Sequence, residues 1–284
     1  GVFQGHSREL GLDYLETFWA SHDQGGKWRF RIPSAEGRHY VIDLFLEMDR
    51  KTNTVTLTLY RENPPTDNPL RLNPQREVTL IIRPDIEDRS FHDTVKAFTG
   101  PEQQWPLRIS AFENGFFFHS QTRQILRLSS SRGAFFLKPE WQYMVHRNVE
   151  ATRGLDANSD LFSPGYFSIN VKGGDAVSLK ACVIDKESMP ELPDIKSDGK
   201  EISLPGPFHS TVPFSQAIKA SLGAFIVDRG EEKSVVAGYP WFLDWGRDSL
   251  IFCRALIELG RTREAFDILT LFGKFEKDGT LPNM

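Results

Sequence analysis

The sequence predicts a large antiparallel β-sandwich followed by helices. Three observations predict it: apolar and polar side chains alternate every two residues up to about residue 185, a polar stretch with four prolines runs from Glu187 to Pro207, and helical spacing begins after Phe214. The expected division is a sandwich domain over 1–186, a linker over 187–207 and a helical domain over 208–284.

The alternation is clearest between Tyr40 and Asp49. Val41, Asp43, Phe45, Glu47 and Asp49 fall on one face of a strand, and Tyr40, Ile42, Leu44, Leu46 and Met48 on the other. Thr54 to Tyr60 repeats the pattern, with Val55, Leu57 and Leu59 opposite threonines. Further strands are expected at 77–82, 107–112, 116–120, 124–128, 134–137, 143–147, 166–171 and 176–184. Turn residues separate them, among them Asn63-Pro64-Pro65, Asn114-Gly115 and Gly173-Gly174-Asp175. Short strands joined by polar turns describe a large antiparallel sandwich. Trp19, Trp28, Trp105 and Trp141 read as its core, with a surface sugar site as the alternative.

In the helical part, Ile218, Leu222 and Phe225 share one face. A second helix is expected from Ser249 to Leu259, stopped by Gly260. Thr262 is placed as the N-cap of a third, in which Ala265, Ile268, Leu269 and Phe272 keep the spacing. Val235 to Asp248 reads as a loop rich in aromatic residues. Three helices leave apolar faces uncovered, so the domain is expected to continue past Met284.

Composition sets bounds on the function. The 284 residues are 39% hydrophobic and 25% charged with a net charge of −4, and both signs are mixed along the chain. A basic stripe is lacking, which argues against nucleic acid. No apolar run reaches the roughly 20 residues of a membrane helix. Cys182 and Cys253 read as free thiols, which points to a reducing cytoplasm, and the first residues do not read as a charged-then-apolar leader. The histidines, His92 and His146 included, lack metal-ligand spacing. Asp156-Ala157-Asn158-Ser159-Asp160 imitates a calcium loop but has Leu161 where a glycine is required, so it reads as a polar turn. No cofactor is expected.

The segment Ala237 to Ser249 carries the chemistry. Within it, Trp241, Asp244, Trp245, Arg247 and Asp248 fall where a loop runs into a helix. A guanidinium beside a carboxylate offers donors next to acceptors, which suits sugar hydroxyls, and a tryptophan face suits the C–H side of the ring. A plain helix start fits the same residues, with Asp248 complementing the dipole and Arg247 closing a surface pair.

Trp245-Gly246-Arg247-Asp248-Ser249 resembles the Trp-x-Arg-Asp motif of glucoamylase-type (α/α)6-barrel glycosidases. The wider string from Ala237 to Ser249, with Gly279-Thr280-Leu281-Pro282-Asn283, is similar to the glycogen-debranching, amylo-α-1,6-glucosidase family. Arg83-Pro84 with Arg89 and His92, Glu150-x-x-Arg153-Gly154-Leu155-Asp156, and Asp160 to Gly165 extend the resemblance over about residues 80 to 284. No Arg-Tyr-His-Gly segment of the sort many relatives carry is found in the first 80 residues.

The resemblance implies that the helices open an (α/α)6 barrel. It implies that Arg247 and Asp248 bind the terminal glucose of an α-glucan, with Trp245 lining the pocket and Asp244 and Asn283 as weaker candidates for its wall. It further implies an inverting mechanism whose acid and base lie on barrel helices beyond Met284, and the rest of the barrel as a partner in cis or as a second chain. A carboxylate paired with a guanidinium is stabilised in its ionised form, so Asp248 is a poor general acid. The leading reading is an α-1,6-glucosidase acting on branch stubs of glycogen. The alternatives are an α-1,4 exo-glucosidase of the glucoamylase type and a non-catalytic glucan-binding or assembly module.

Overall fold

The structure, a computed structural model, describes residues 10–21, 25–34, 37–49, 52–90, 93–185, 213–239 and 242–283. The expected linker over 187–207, His92 and Trp241 lie outside the described residues. Two compact units fall within Gly1–Arg89 with Thr94–Phe208, and within Ser90–Asp93 with His209–Met284.

The first unit is the sandwich. Its strands are β1 (Leu15–Ser21), β2 (Gly25–Pro33), β3 (His39–Asp49), β4 (Thr54–Arg61), β5 (Val78–Ile82), β6 (Ile109–Phe112), β7 (Gly115–His119), β8 (Gln124–Ser130), β9 (Ala134–His146), β10 (Asn158–Val171) and β11 (Ala176–Asp185). Two short helices, α1 (Pro101–Gln104) and α2 (Asn148–Thr152), lie between them. One sheet has eight strands in the order β1-β2-β3-β4-β11-β8-β7-β6, and the other has three, β5-β10-β9. Every pairing is antiparallel.

The core between the sheets explains much of the phenylalanine. Phe30, Ile42, Leu59, Phe116, Phe118 and Val177 come from the large sheet, and Phe135, Phe162, Phe167 and Ile169 from the small one. Phe135 bridges the two, its ring 4.9 Å from that of Phe116 and 5.0 Å from that of Phe167. Burying each such ring stabilises the fold by about 1.5–3 kcal/mol. Trp105 and Trp141 pack at one end, 5.4 Å apart. Trp28 packs against this core as well. Trp19 does not. It sits half-buried on the opposite face of the large sheet, with the Lys27 ammonium 5.3 Å from its ring.

Several sequence expectations change here. β1 and β2 add two strands before the first one expected. The separate strands expected at 134–137 and 143–147 are one strand, β9, and β10 begins at Asn158, so Asn158 to Asp160 are strand and not turn. Ser159 and Asp160 are buried because they bind backbone. The Asp160 carboxylate accepts from the amides of Ala97 and Met144, both at 2.8 Å, and the Ser159 hydroxyl accepts from Val95 at 3.0 Å. Met144 is held in the left-handed region (φ 56°) at a register shift between β9 and β10.

Arg61 is the largest fully buried side chain. Its guanidinium donates to the carbonyls of Val171 at 3.0 Å, Asn73 at 3.2 Å and Arg76, and stacks 5.7 Å from the Tyr40 ring. It thereby ties the 73–76 turn to the end of β10.

The second unit contains α3 (Phe214–Phe225), β12 (Ile226–Arg229), β13 (Glu232–Gly238), β14 (Phe242–Asp244), α4 (Gly246–Glu258) and α5 (Thr262–Gly273). The loop expected from Val235 to Asp248 is in part a three-stranded sheet, β12-β13-β14. Val235 packs with Cys253, Leu256, Ala265, Ile268 and Phe272 from α4 and α5. α4 ends as expected at Gly260 (φ 74°), whose amide bonds the Ile257 carbonyl at 2.9 Å while Arg261 bonds that of Leu256 at 2.9 Å. This is a Schellman stop, and it turns the chain straight into α5. The N-cap of α5 is Arg261, with Thr262 in the first turn. The Arg261 guanidinium donates to the Glu264 carboxylate, at 2.7 Å from Nη2, which fastens that turn. No described helix is long and apolar enough to cross a membrane.

Candidate functional site

An open cleft of about 560 Å³ lies at the N-terminus of α4. One wall is helical: Arg247, Leu250 and Ile251 stand three and four residues apart and so share a face. The other wall is the segment Gly279-Thr280-Leu281-Pro282-Asn283, of which Gly279, Leu281, Pro282 and Asn283 line the cleft.

The second wall is placed by local chemistry. Asp278 and Gly279 both take positive φ, at 53° and 78°, and Lys277 and Thr280 exchange backbone bonds of 2.9 and 3.0 Å across them. An Asp-Gly pair with two positive φ angles makes a type I′ turn. It reverses the chain after α5, and Leu281, partly buried, then packs against the core of the unit. Asn283 arrives at the start of α4, where its carbonyl accepts the Gly246 amide at 3.1 Å.

The approach is close enough to require glycine. A Cβ on Gly246 would lie 2.1 Å from the Pro282 carbonyl oxygen. Trp245, in extended conformation, is the N-cap and has no side-chain acceptor to offer the first turn. The first amide of the helix, that of Gly246, goes to Asn283.

Arg247 is two-thirds exposed and Asp248 one-third, and the guanidinium donates to the carboxylate at 3.3 Å. The guanidinium lies 5.9 Å from the Trp245 ring, whose other neighbour is the edge of Phe242 at 5.9 Å. Arg247 and Asn283 line the cleft. Asp248 meets it through Arg247, and Trp245 through the same guanidinium. Asp244 is held elsewhere: its Oδ2 accepts from Arg229 and Ser234, both at 2.7 Å, inside the three-stranded sheet. Leu250 and Ile251 were not singled out in the sequence, although their spacing from Arg247 places them on its face. Ser249, next in the motif, is fully buried behind the helix. The cleft thus combines a fork of donors, an adjacent acceptor and an apolar wall, which suits a polyhydroxylated ring.

Among the described residues no group of three or more His, Cys, Asp and Glu side chains could hold a metal.

Comparison with known families accounts for both units. A family model described as "Glycogen debranching enzyme N terminal" matches residues 2–178. The chain belongs to the glycogen debranching enzyme family. A second model, "Amylo-alpha-1,6-glucosidase", matches residues 219–284 and so includes both walls of the cleft. No curated protein matches the chain. The family acts on glucan, and the cleft at α4 falls within the amylo-α-1,6-glucosidase match.

The family motif in the sandwich also acquires a physical account. In Glu150-x-x-Arg153-Gly154-Leu155, Gly154 (φ 73°) and Leu155 return their amides to the carbonyls of Ala151 and Glu150, both at 3.1 Å. The motif is the stop signal of α2.

Proposed function

We propose that the chain forms the front portion of an inverting α-1,6-glucosidase that removes single-glucose branch stubs from glycogen or a related α-glucan. Arg247 and Asp248 hold hydroxyls of the terminal glucose, Asn283 closes the opposite wall, and Trp245 backs the guanidinium. α3, α4 and α5 open an (α/α)6 barrel, and two carboxyl groups on other helices of that barrel act as acid and base. One protonates the departing glycosidic oxygen and the other activates water on the far face of the sugar, about 6.5–9.5 Å away. Asp248, beside the Arg247 guanidinium, serves binding. The protein acts in the cytoplasm, where its polymer is stored.

The observation that carries this reading is the cleft itself: Arg247 and Asn283, both within the amylo-α-1,6-glucosidase match, line it at one helix start. The experiment is glucose release from a phosphorylase limit dextrin, with the anomer followed by NMR, for the chain alone and for the product of its complete reading frame. The complete product is expected to release glucose first as the β-anomer, and the chain alone to release none. Arg247→Ala and Asp248→Asn in the complete product are expected to abolish release with the fold intact. Normal turnover in either variant would overturn the assignment.

A further inference from the structure

The small sheet of the sandwich carries an aromatic pair that the core does not use. β9 and β10 set Phe136 directly opposite Tyr166. Their rings stack with centroids 5.3 Å apart and planes 18° from parallel. The next residues along, Phe135 and Phe167, face inward and are buried. Alternation therefore turns Phe136 and Tyr166 to the outer face, where Phe136 is 48% exposed. Gly165 permits the close backbone approach beneath them, since a Cβ there would lie 2.1 Å from the Phe136 carbonyl oxygen.

A row of charges borders the rings. Glu140 accepts from Lys138 at 2.8 Å and from Arg83 at 3.0 Å, and Arg83 also faces Asp85 at 3.8 Å. Two cations and two carboxylates balance, so the surface has no net attraction for an anion. It offers donors and acceptors side by side next to an apolar ring face. A pyranose has an apolar C–H face and a rim of hydroxyls that each donate and accept, and it matches both halves of this surface.

We propose that the outer face of the three-stranded sheet is a second, non-catalytic binding site for a chain of α-glucan, with Phe136 and Tyr166 as the stacking surface and Arg83, Lys138 and Glu140 as hydroxyl partners. The proposal rests on the family's action on glucan and not on the cleft at α4. Such a site holds the polymer on the protein while branch stubs are presented to the cleft.

Affinity electrophoresis of the 284-residue chain in native gels containing soluble glycogen tests it. The intact chain is expected to be retarded. Phe136→Ala and Tyr166→Ala should each weaken the apparent affinity at least about tenfold, Phe136→Trp should keep it, and Arg247→Ala should leave retardation in place. Phe136→Leu keeps the apolar volume and removes the ring face, so it reports on stacking even if the alanine variant folds poorly. Its affinity should fall with the thermal midpoint unchanged. An intact chain that is not retarded, retardation that survives Phe136→Leu and Tyr166→Ala, or retardation lost only with Arg247→Ala would overturn the proposal. Failure of the cleft reading is separate and shows as glucose release that survives Arg247→Ala.

Discussion

Asp244 accepts the hydroxyl proton of Ser234 at 2.7 Å, and the same carboxylate oxygen receives Arg229 at 2.7 Å. Ser234 is buried on the central strand β13 and Arg229 stands at the end of β12, so one carboxylate ties together all three strands of the sheet that leads into α4. Asp244 is thus a fastening of the second unit. Asp244→Ala leaves a buried hydroxyl without its acceptor and is expected to destabilise the fold by about 1–3 kcal/mol. Urea unfolding of the parent and variant checks this.

Gly246→Ala pushes a methyl group into the Pro282 carbonyl. One wall of the cleft must move or α4 must begin later, at a cost of about 1–3 kcal/mol. A lower urea midpoint with an unchanged slope is the expected result. Glucose release by the complete protein should fall with it, because Asn283 loses its register with Arg247.

Arg61→Met removes the charge that three carbonyls share while keeping most of the volume. Burial already lowers the pKa of this guanidinium, with the Tyr40 and Asp175 charges opposing that effect. The carbonyls of Val171, Asn73 and Arg76 are left unpaired, and the expected loss is about 3 kcal/mol or more. Thermal denaturation should show it, and proteolysis should move to the 73–76 turn.

Acidification should weaken the sandwich through Glu87. Burial alone would raise this carboxyl, but hydrogen bonds from Ser159 and Arg89 and the charges of Arg89 and Arg147 outweigh it and hold the pKa below the usual 4.5. A depressed folded pKa gives stability that is present above the unfolded value and is lost as pH falls through the folded one. Melting temperatures should therefore drop as pH falls below about 4.5, and Glu87→Gln should flatten that part of the curve. An identical acid limb in the variant would show that other carboxylates govern it.

Much of the sandwich was legible from the alternation along its strands, even though β3 buries Val41, Ile42, Asp43 and Phe45 and so both of its faces. Tyr40 to Asp49 and Thr54 to Tyr60 alternate cleanly, and both are strands. β10 was cut short for the opposite reason: Ser159 and Asp160 are buried by bonds to the amides of Val95, Ala97 and Met144, and a hydrophobic pattern does not register burial of that kind. β1, at the sheet edge, sets Phe18 and Trp19 next to each other with neither buried, which blurs its period. At the candidate site, two of the residues the sequence singled out, Arg247 and Asn283, line one cleft. The motif could not give the start of α4, since Gly246 is anchored by a carbonyl far along the chain. Nor could it show that Ser234 and Arg229 both donate to Asp244, a pairing that only the fold reveals.

The single hydrogen bond from Gly246 to Asn283 makes α5 a gauge. Between the two walls of the cleft the chain follows defined local structure: a Schellman stop leads into α5, and a two-residue reversal at Asp278-Gly279 follows it. Inserting one residue into α5 would advance Asn283 by about 1.5 Å and swing it about 100° around the axis. Substitutions on the outer face of α5 can accumulate freely, but its length cannot drift, because the span of the cleft is counted in turns of that helix.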